Sequence, residues 1–129
     1  MGTQNGKKAM VVDDSRAMRM ILRKTLDELG YEVCDAGNGQ EALSLLETVG
    51  SSISLMLVDW NMPVMCGLDL VKAARSDARY SAITIVMVTT ETEIEHISQA
   101  LNAGANEYVM KPFTKDVLQE KLQTLNLAQ

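Results

Sequence analysis

Three carboxylates, an ammonium and a hydroxyl each stand directly after a short apolar run in this 129-residue chain. Ala9-Met10-Val11-Val12 stops on Asp13 and Asp14, and Leu55-Met56-Leu57-Val58 stops on Asp59. The run from Ile83 to Val88 stops on Thr89, and Glu107-Tyr108-Val109-Met110 stops on Lys111. Brought within reach, the carboxylates repel, each pair by roughly 4 kcal/mol at 4 Å if the effective dielectric is near 20. Lys111 alone does not balance them. A hard divalent ion on oxygen ligands does, and Mg2+ fits because it tolerates few protein ligands and keeps several waters. The candidate ligands are Asp59, one or both of Asp13 and Asp14, and the backbone carbonyl of Asn61. A carboxylate beside Mg2+, a lysine and a hydroxyl is what in-line phosphoryl transfer to oxygen requires. Thr89 can then donate a hydrogen bond to the new phosphoryl group and pull its loop along, opening space for Tyr108 to turn inward.

Positioning such groups falls to the elements between them. An uninterrupted apolar run suits a strand buried on both faces of a parallel sheet. Pro63 ends the strand that carries Asp59, because it has no N–H to donate and disfavours helix at Met62. Charges interleaved along Glu32-Val33-Cys34-Asp35-Ala36 suit a sheet edge. Between the strands, apolar residues at three- and four-residue spacing predict helices over residues 15–29, 40–49, 68–75, 93–103 and 115–125. Ser15 and Thr114 cap the first and last of them, and Gly30, Gly50 and Gly104 follow three. Gly67 permits a turn into the third. In the first helix Met18, Ile21, Leu22, Thr25, Leu26 and Leu29 face inward, with Arg16, Arg19 and Arg23 among the charged residues between them. Leu101 and Val117 are expected inward on later helices, and residues 76–82 are expected to be a polar connection. Five strands alternating with five helices predict an α/β fold with helices on both faces of a five-stranded parallel sheet. In the order 2-1-3-4-5 the first and third strands are neighbours, and their carboxylates meet in the crevice at the carboxyl edge.

Length and composition agree with a single domain over residues 1–129, with residues 1–6 as a flexible tail. A hydrophobic share of 47% and a charged share of 22% are globular, and a net charge of −5 argues against a nucleic-acid surface. Residues 9–12 are far too short a run for a signal peptide or a membrane span. Cys34 and Cys66 match no metal spacing and read as reduced thiols, which points to the cytoplasm.

Four ordered motifs carry a resemblance: Val12-Asp13-Asp14-Ser15, Val58-Asp59-Trp60-Asn61-Met62-Pro63, Val88-Thr89-Thr90-Glu91 and Tyr108-Val109-Met110-Lys111-Pro112-Phe113. Together they resemble the receiver domain of two-component response regulators, with stand-alone chemotaxis regulators of the CheY type as the nearest wording. For that type the flavodoxin-like, doubly wound order 2-1-3-4-5 is already known, so the order follows from the resemblance. The resemblance implies that Asp59 accepts phosphate from a sensor histidine kinase, with Mg2+ on Asp13, Asp14, Asp59 and the Asn61 carbonyl. It further implies that Thr89 and Lys111 contact the phosphoryl group, that Tyr108 is the switch aromatic, and that Asn61 and Glu91 tune phosphoryl lifetime. The Lys111-Pro112 bond matches one that is usually cis in the family. The protein so implied is a monomeric phosphoacceptor switch that catalyses only its own phosphorylation and dephosphorylation. Its last two helices and last strand would bind a target, either the flagellar motor or a phosphatase. Glu91, Glu93 and Glu95 depart from the lysines that chemotaxis regulators carry near the start of the fourth helix.

Plainer readings stand beside these. Asp13 and Asp14 can be simple helix-end acids, Thr89 a turn residue and Tyr108 half-buried packing. Trp60 reads as a surface-edge aromatic, His96 as a solvated residue, and the methionines as core filler. A Mg2+-dependent phosphohydrolase with an aspartyl nucleophile is the rival function. It wants an acid two residues after the nucleophile, where this chain has Asn61. A flavin binder of the same fold is a second rival, but the carboxylates would repel a flavin phosphate.

Overall fold

The computed structural model describes residues 7–90, 96–111 and 113–125. The expectations for residues 1–6, Glu91, residues 93–95 and Pro112 fall outside the described residues. Strand β1 (Lys8–Val12) leads through α1 (Arg16–Glu28) to β2 (Glu32–Ala36), then α2 (Gly39–Val49) and β3 (Leu55–Asp59). There follow α3 (Gly67–Arg75), β4 (Thr84–Thr89), α4 (Ile97–Ala103), β5 (Glu107–Met110) and α5 (Lys115–Thr124). All neighbouring strands are parallel, in the order β2-β1-β3-β4-β5. This is the expected flavodoxin-like architecture.

Side chains of a strand point alternately to the two faces, and here both faces are dry. Met10, Val12, Met56, Val58, Ile85 and Met87 pack with Leu46, Leu70, Val71 and Ala100 of α2, α3 and α4. Ala9, Val11, Leu55, Leu57, Val86 and Val88 pack with Leu22, Leu26, Leu118 and Leu122 of α1 and α5. That double burial explains why the central strands are apolar throughout. Strand β2 lies at an edge and can carry Glu32 and Asp35.

The expected helix stripes are wider than the contact a sheet offers. Leu22 and Leu26 are buried, but Ile21 is 58% exposed, because one residue along a helix turns the side chain by about 100°. Leu101 and Val117, expected inward, are each 41% exposed. Among the described residues no helix is long and apolar enough to cross a membrane.

The segment expected to be a polar connection contains a short 3-10 turn, Ala78–Tyr80, whose Tyr80 is buried. Its ring explains Gly50, which was expected just past the end of α2. Gly50 has an ordinary right-handed φ of −54°, so conformational freedom is not what the position needs. A Cβ there would sit 2.4 Å from Tyr80 Cε1, so the position needs space. Gly50→Ala should therefore lower unfolding stability in urea by about 1–3 kcal/mol through overpacking. Gly50→Ala combined with Tyr80→Leu should lose less than the sum of the two single changes, and simple additivity would refute the contact as the cause.

Candidate functional site

The strand register itself assembles the polar edge. Val12 pairs with Val58, so Asp13 leaves β1 beside Asp59 at the end of β3. Asp59 pairs with Val88, and Thr89 pairs with Met110, so Thr89 and Lys111 follow on the next two strands. Among the described residues the buried polar or charged side chains are Asp13, Asp59 and Thr89, all at carboxyl ends of strands.

Each side chain is held locally. Asp13 N donates to Ala36 O at 3.1 Å, and Asp13 Oδ1 accepts from Ser15 N at 2.8 Å. Ser15 Oγ in turn accepts from Met18 N and caps α1. Lys111 N donates to Thr89 O at 2.7 Å, which fixes the start of the lysine side chain. Its ammonium lies 3.3 Å from Asp13 Oδ2 and 3.2 Å from Asp59 Oδ1. Asp13, Asp14 and Asp59 each offer an oxygen within 4.8 Å of the others, with Asp14 exposed and the other two buried. Three carboxylates facing one ammonium leave an excess of negative charge. An all-oxygen donor set with that excess suits a hard divalent cation, and Mg2+ fits it.

The same imbalance acts on Asp59, whose pKa is pushed up to about 6. Burial is the main cause and Asp13 the next; the Lys111 ammonium opposes both and does not win. For Lys111 the balance reverses. Burial pulls its pKa down, but Asp59 and Asp13 outweigh burial, and the net shift is upward.

Gly67 packs α3 against the end of β3. A Cβ there would lie 2.4 Å from the Asp59 carbonyl oxygen, and Gly67 N donates to Trp60 O at 3.0 Å. The sequence alone suggests a turn-forming role for Gly67, but close approach is the requirement. Between these points the loop tightens around Val64, where Met65 N donates to Pro63 O at 2.7 Å and Val64 has φ of 70° at 82% exposure. A left-handed β-branched residue costs about 1–3 kcal/mol, and nothing in the sequence pattern announces it.

The remaining site residues are distributed as follows. Asn61 is exposed in the loop after Asp59. Thr89 is buried, and its Oγ1 makes a long 3.4 Å contact to Thr90 O. Tyr108 is partly buried and its ring lies 4.7 Å from Lys121 Nζ. Glu91 lies outside the described residues. His96, expected to be solvated, instead stacks on Trp60 with ring centroids 4.7 Å apart and planes 5° from parallel. Trp60, read as a surface-edge aromatic, therefore links the residue after Asp59 to the start of α4. Two groups escaped sequence reasoning: Arg19, which donates to the Asp13 carbonyl at 2.7 Å, and its partner Asp35. A cation one turn inside a helix amino end, where the dipole disfavours it, was the available signal.

The family profile described as "Response regulator receiver domain" matches residues 9–123. Chemotaxis protein CheY1 of Helicobacter pylori is 49% identical over 119 residues, covering 92% of this chain and 95% of that protein. Chemotaxis protein CheY of Pseudomonas aeruginosa is 40% identical, covering 92% of this chain and 94% of that one. The solved structure of chemotaxis response regulator CheY4 of Vibrio cholerae has a TM-score of 0.84 at 37% identity, covering 92% of this chain and 98% of that one.

The raised Asp59 pKa has a stability consequence of definite sign. A carboxyl that holds its proton more tightly folded than unfolded destabilises the fold as pH rises from about 4 to about 6. A hundredfold weaker acid corresponds to about 3 kcal/mol, which is the ceiling on this effect. Without divalent cations, Asp59→Asn should melt well above the parent at pH 7.5 and lose most of that advantage at pH 4. An equal difference at both pH values would refute the electrostatic account.

Proposed function

The chain belongs to the response regulator receiver domain family, and on that premise we propose that it is a chemotaxis-type switch in two-component signalling, set by phosphorylation of Asp59. Receiver domains of this family act as signalling switches rather than classical enzymes, and the phosphohydrolase alternative is not favoured. The observation that carries the proposal is the Lys111 ammonium poised between Asp13 and Asp59 at the carboxyl edge of the sheet. A buried carboxylate kept next to a cation and a second acid is an oxygen nucleophile held at an anion-tolerant place.

In this reading, an Asp59 carboxylate oxygen attacks the phosphorus of a phosphohistidine on a sensor histidine kinase. The phosphorus–nitrogen bond breaks, an acyl phosphate forms, and the imidazole leaves with a proton from solvent. Lys111 turns toward the phosphoryl oxygens and neutralises the negative charge they carry. Asp13, Asp14, Asp59 and the Asn61 carbonyl would hold Mg2+, which supplies charge neutralisation at the equatorial oxygens. Thr89 donates its hydroxyl to the phosphoryl group, and the movement lets Tyr108 leave Lys121 and turn inward. Asn61 and Glu91 tune the lifetime. The target would meet α4, β5 and α5, and the flagellar motor or a phosphatase are the partners of that kind. We read the chain as one receiver unit over residues 1–129, a cytoplasmic monomer that catalyses only its own phosphorylation and dephosphorylation.

Trp60, the only tryptophan, reports on the site. Mg2+ in the millimolar range should change its emission, and beryllium fluoride or acetyl phosphate should change it further. Asp59→Asn should abolish the second change and any incorporation of phosphate, and Lys111→Met should weaken it at least tenfold. Phosphate incorporation that survives Asp59→Asn would overturn the proposal.

A further inference from the structure

Every polar group of Asp13 is engaged, and its partners come from three directions. Its N–H meets β2, one carboxylate oxygen meets the Ser15 amide, and the other meets Lys111. The remaining group, its backbone carbonyl, accepts from Arg19 Nη1 at 2.7 Å. Arg19 is itself anchored, because its Nε donates to Asp35 Oδ2 at 2.7 Å. Arg23 pairs with the other oxygen of Asp35, so the strand acid is clamped by two cations of α1. The Arg19 guanidinium lies under the turn after β2, where a Cβ on Gly37 would come within 3.4 Å of Nη1.

That placement is costly for helix α1 taken alone. Its first turn carries no acid, and a cation near the amino end opposes the helix dipole. The arrangement makes sense if Arg19 serves the residue it touches. We propose that Arg19 is a positioning residue for the divalent-cation site: through the Asp13 carbonyl, and braced by Asp35, it fixes the direction in which the Asp13 carboxylate faces Asp59. This deepens the reading of the aspartate cluster as a Mg2+ site and rests on it. Asp35 offsets only part of the charge of Arg19 and Arg23, and the net cation left beside the acids would repel Mg2+, so any tightening of the site by Arg19 is geometric. Because two nitrogens of the planar fork reach two acceptors at once, lysine cannot replace it. Groups that orient metal ligands typically change metal affinity by about 10–100-fold.

The test is a Mg2+ titration followed by Trp60 emission on the parent, Arg19→Gln, Arg19→Lys and Asp35→Asn, with Arg79→Gln as control. Arg79 pairs with Glu47 and Asp77 before β4, at the opposite edge of the sheet. Arg19→Gln should weaken Mg2+ binding about tenfold. Arg19→Lys should recover only part of that loss, Asp35→Asn should fall between the parent and Arg19→Gln, and Arg79→Gln should match the parent. Melting with and without Mg2+ gives a second readout: the upward shift that Mg2+ gives the parent should shrink in both Arg19 variants. Arg19 variants that melt lower but bind Mg2+ with the parent's affinity would reduce Arg19 to a structural residue and overturn the inference alone. If Arg19→Gln fails to fold, Arg19→Lys and Asp35→Asn decide the matter by the same two measurements. A parent that does not respond to Mg2+ would overturn the metal reading and this inference together.

Discussion

The structure depends on one electrostatic constraint: like charges forced together at a dry sheet edge. Parallel pairing of β1 with β3 puts Asp13 beside Asp59, and burial denies them the solvent that would screen their repulsion. One ammonium, shared at 3.2 and 3.3 Å, offsets part of that repulsion. The rest remains as an Asp59 carboxyl whose pKa is pushed up to about 6 and as an excess of negative charge at the edge. A folded state that keeps such a site must be stabilised elsewhere. The two apolar layers that sandwich the sheet supply that stabilisation, since each central strand is buried on both faces.

Rigidity around the edge follows from short-range packing. Gly67 lets α3 approach the back of Asp59, and the tight turn at Val64 stores strain within five residues of it. Strain of that kind persists only where neighbours over-determine the backbone. Around Asp13 the same over-determination is polar, with partners drawn from β2, α1 and the end of β5. The acids are thus held in place before any ligand arrives, which lowers the reorganisation that phosphoryl transfer would require.

Two contacts lead away from the edge. Trp60 stacks on His96, and the Lys121 ammonium lies over the ring of the partly buried Tyr108. The first ties the residue after Asp59 to the start of α4, and the second ties β5 to α5.

How much of this was legible in the chain depends on the range of the interaction involved. Apolar runs, their abrupt ends on Asp13, Asp59, Thr89 and Lys111, and the helical spacings between them are local patterns, and they determined the fold class, the strand and helix order and the residues to watch. Caps at Ser15 and Thr114 were legible for the same reason, because a cap is a contact over three residues. What the tertiary structure alone decided are contacts between segments far apart in sequence, which no periodicity encodes. Gly50 is needed for the Tyr80 ring, Gly67 for the Asp59 carbonyl, and His96 belongs to Trp60. Arg19 and Asp35, each an ordinary surface charge in its own segment, become a brace for Asp13 only when α1 packs beside β2. Likewise the weakened acidity of Asp59 could not be read from its neighbours in sequence, since desolvation and the charge of Asp13 exist only once the strands pair.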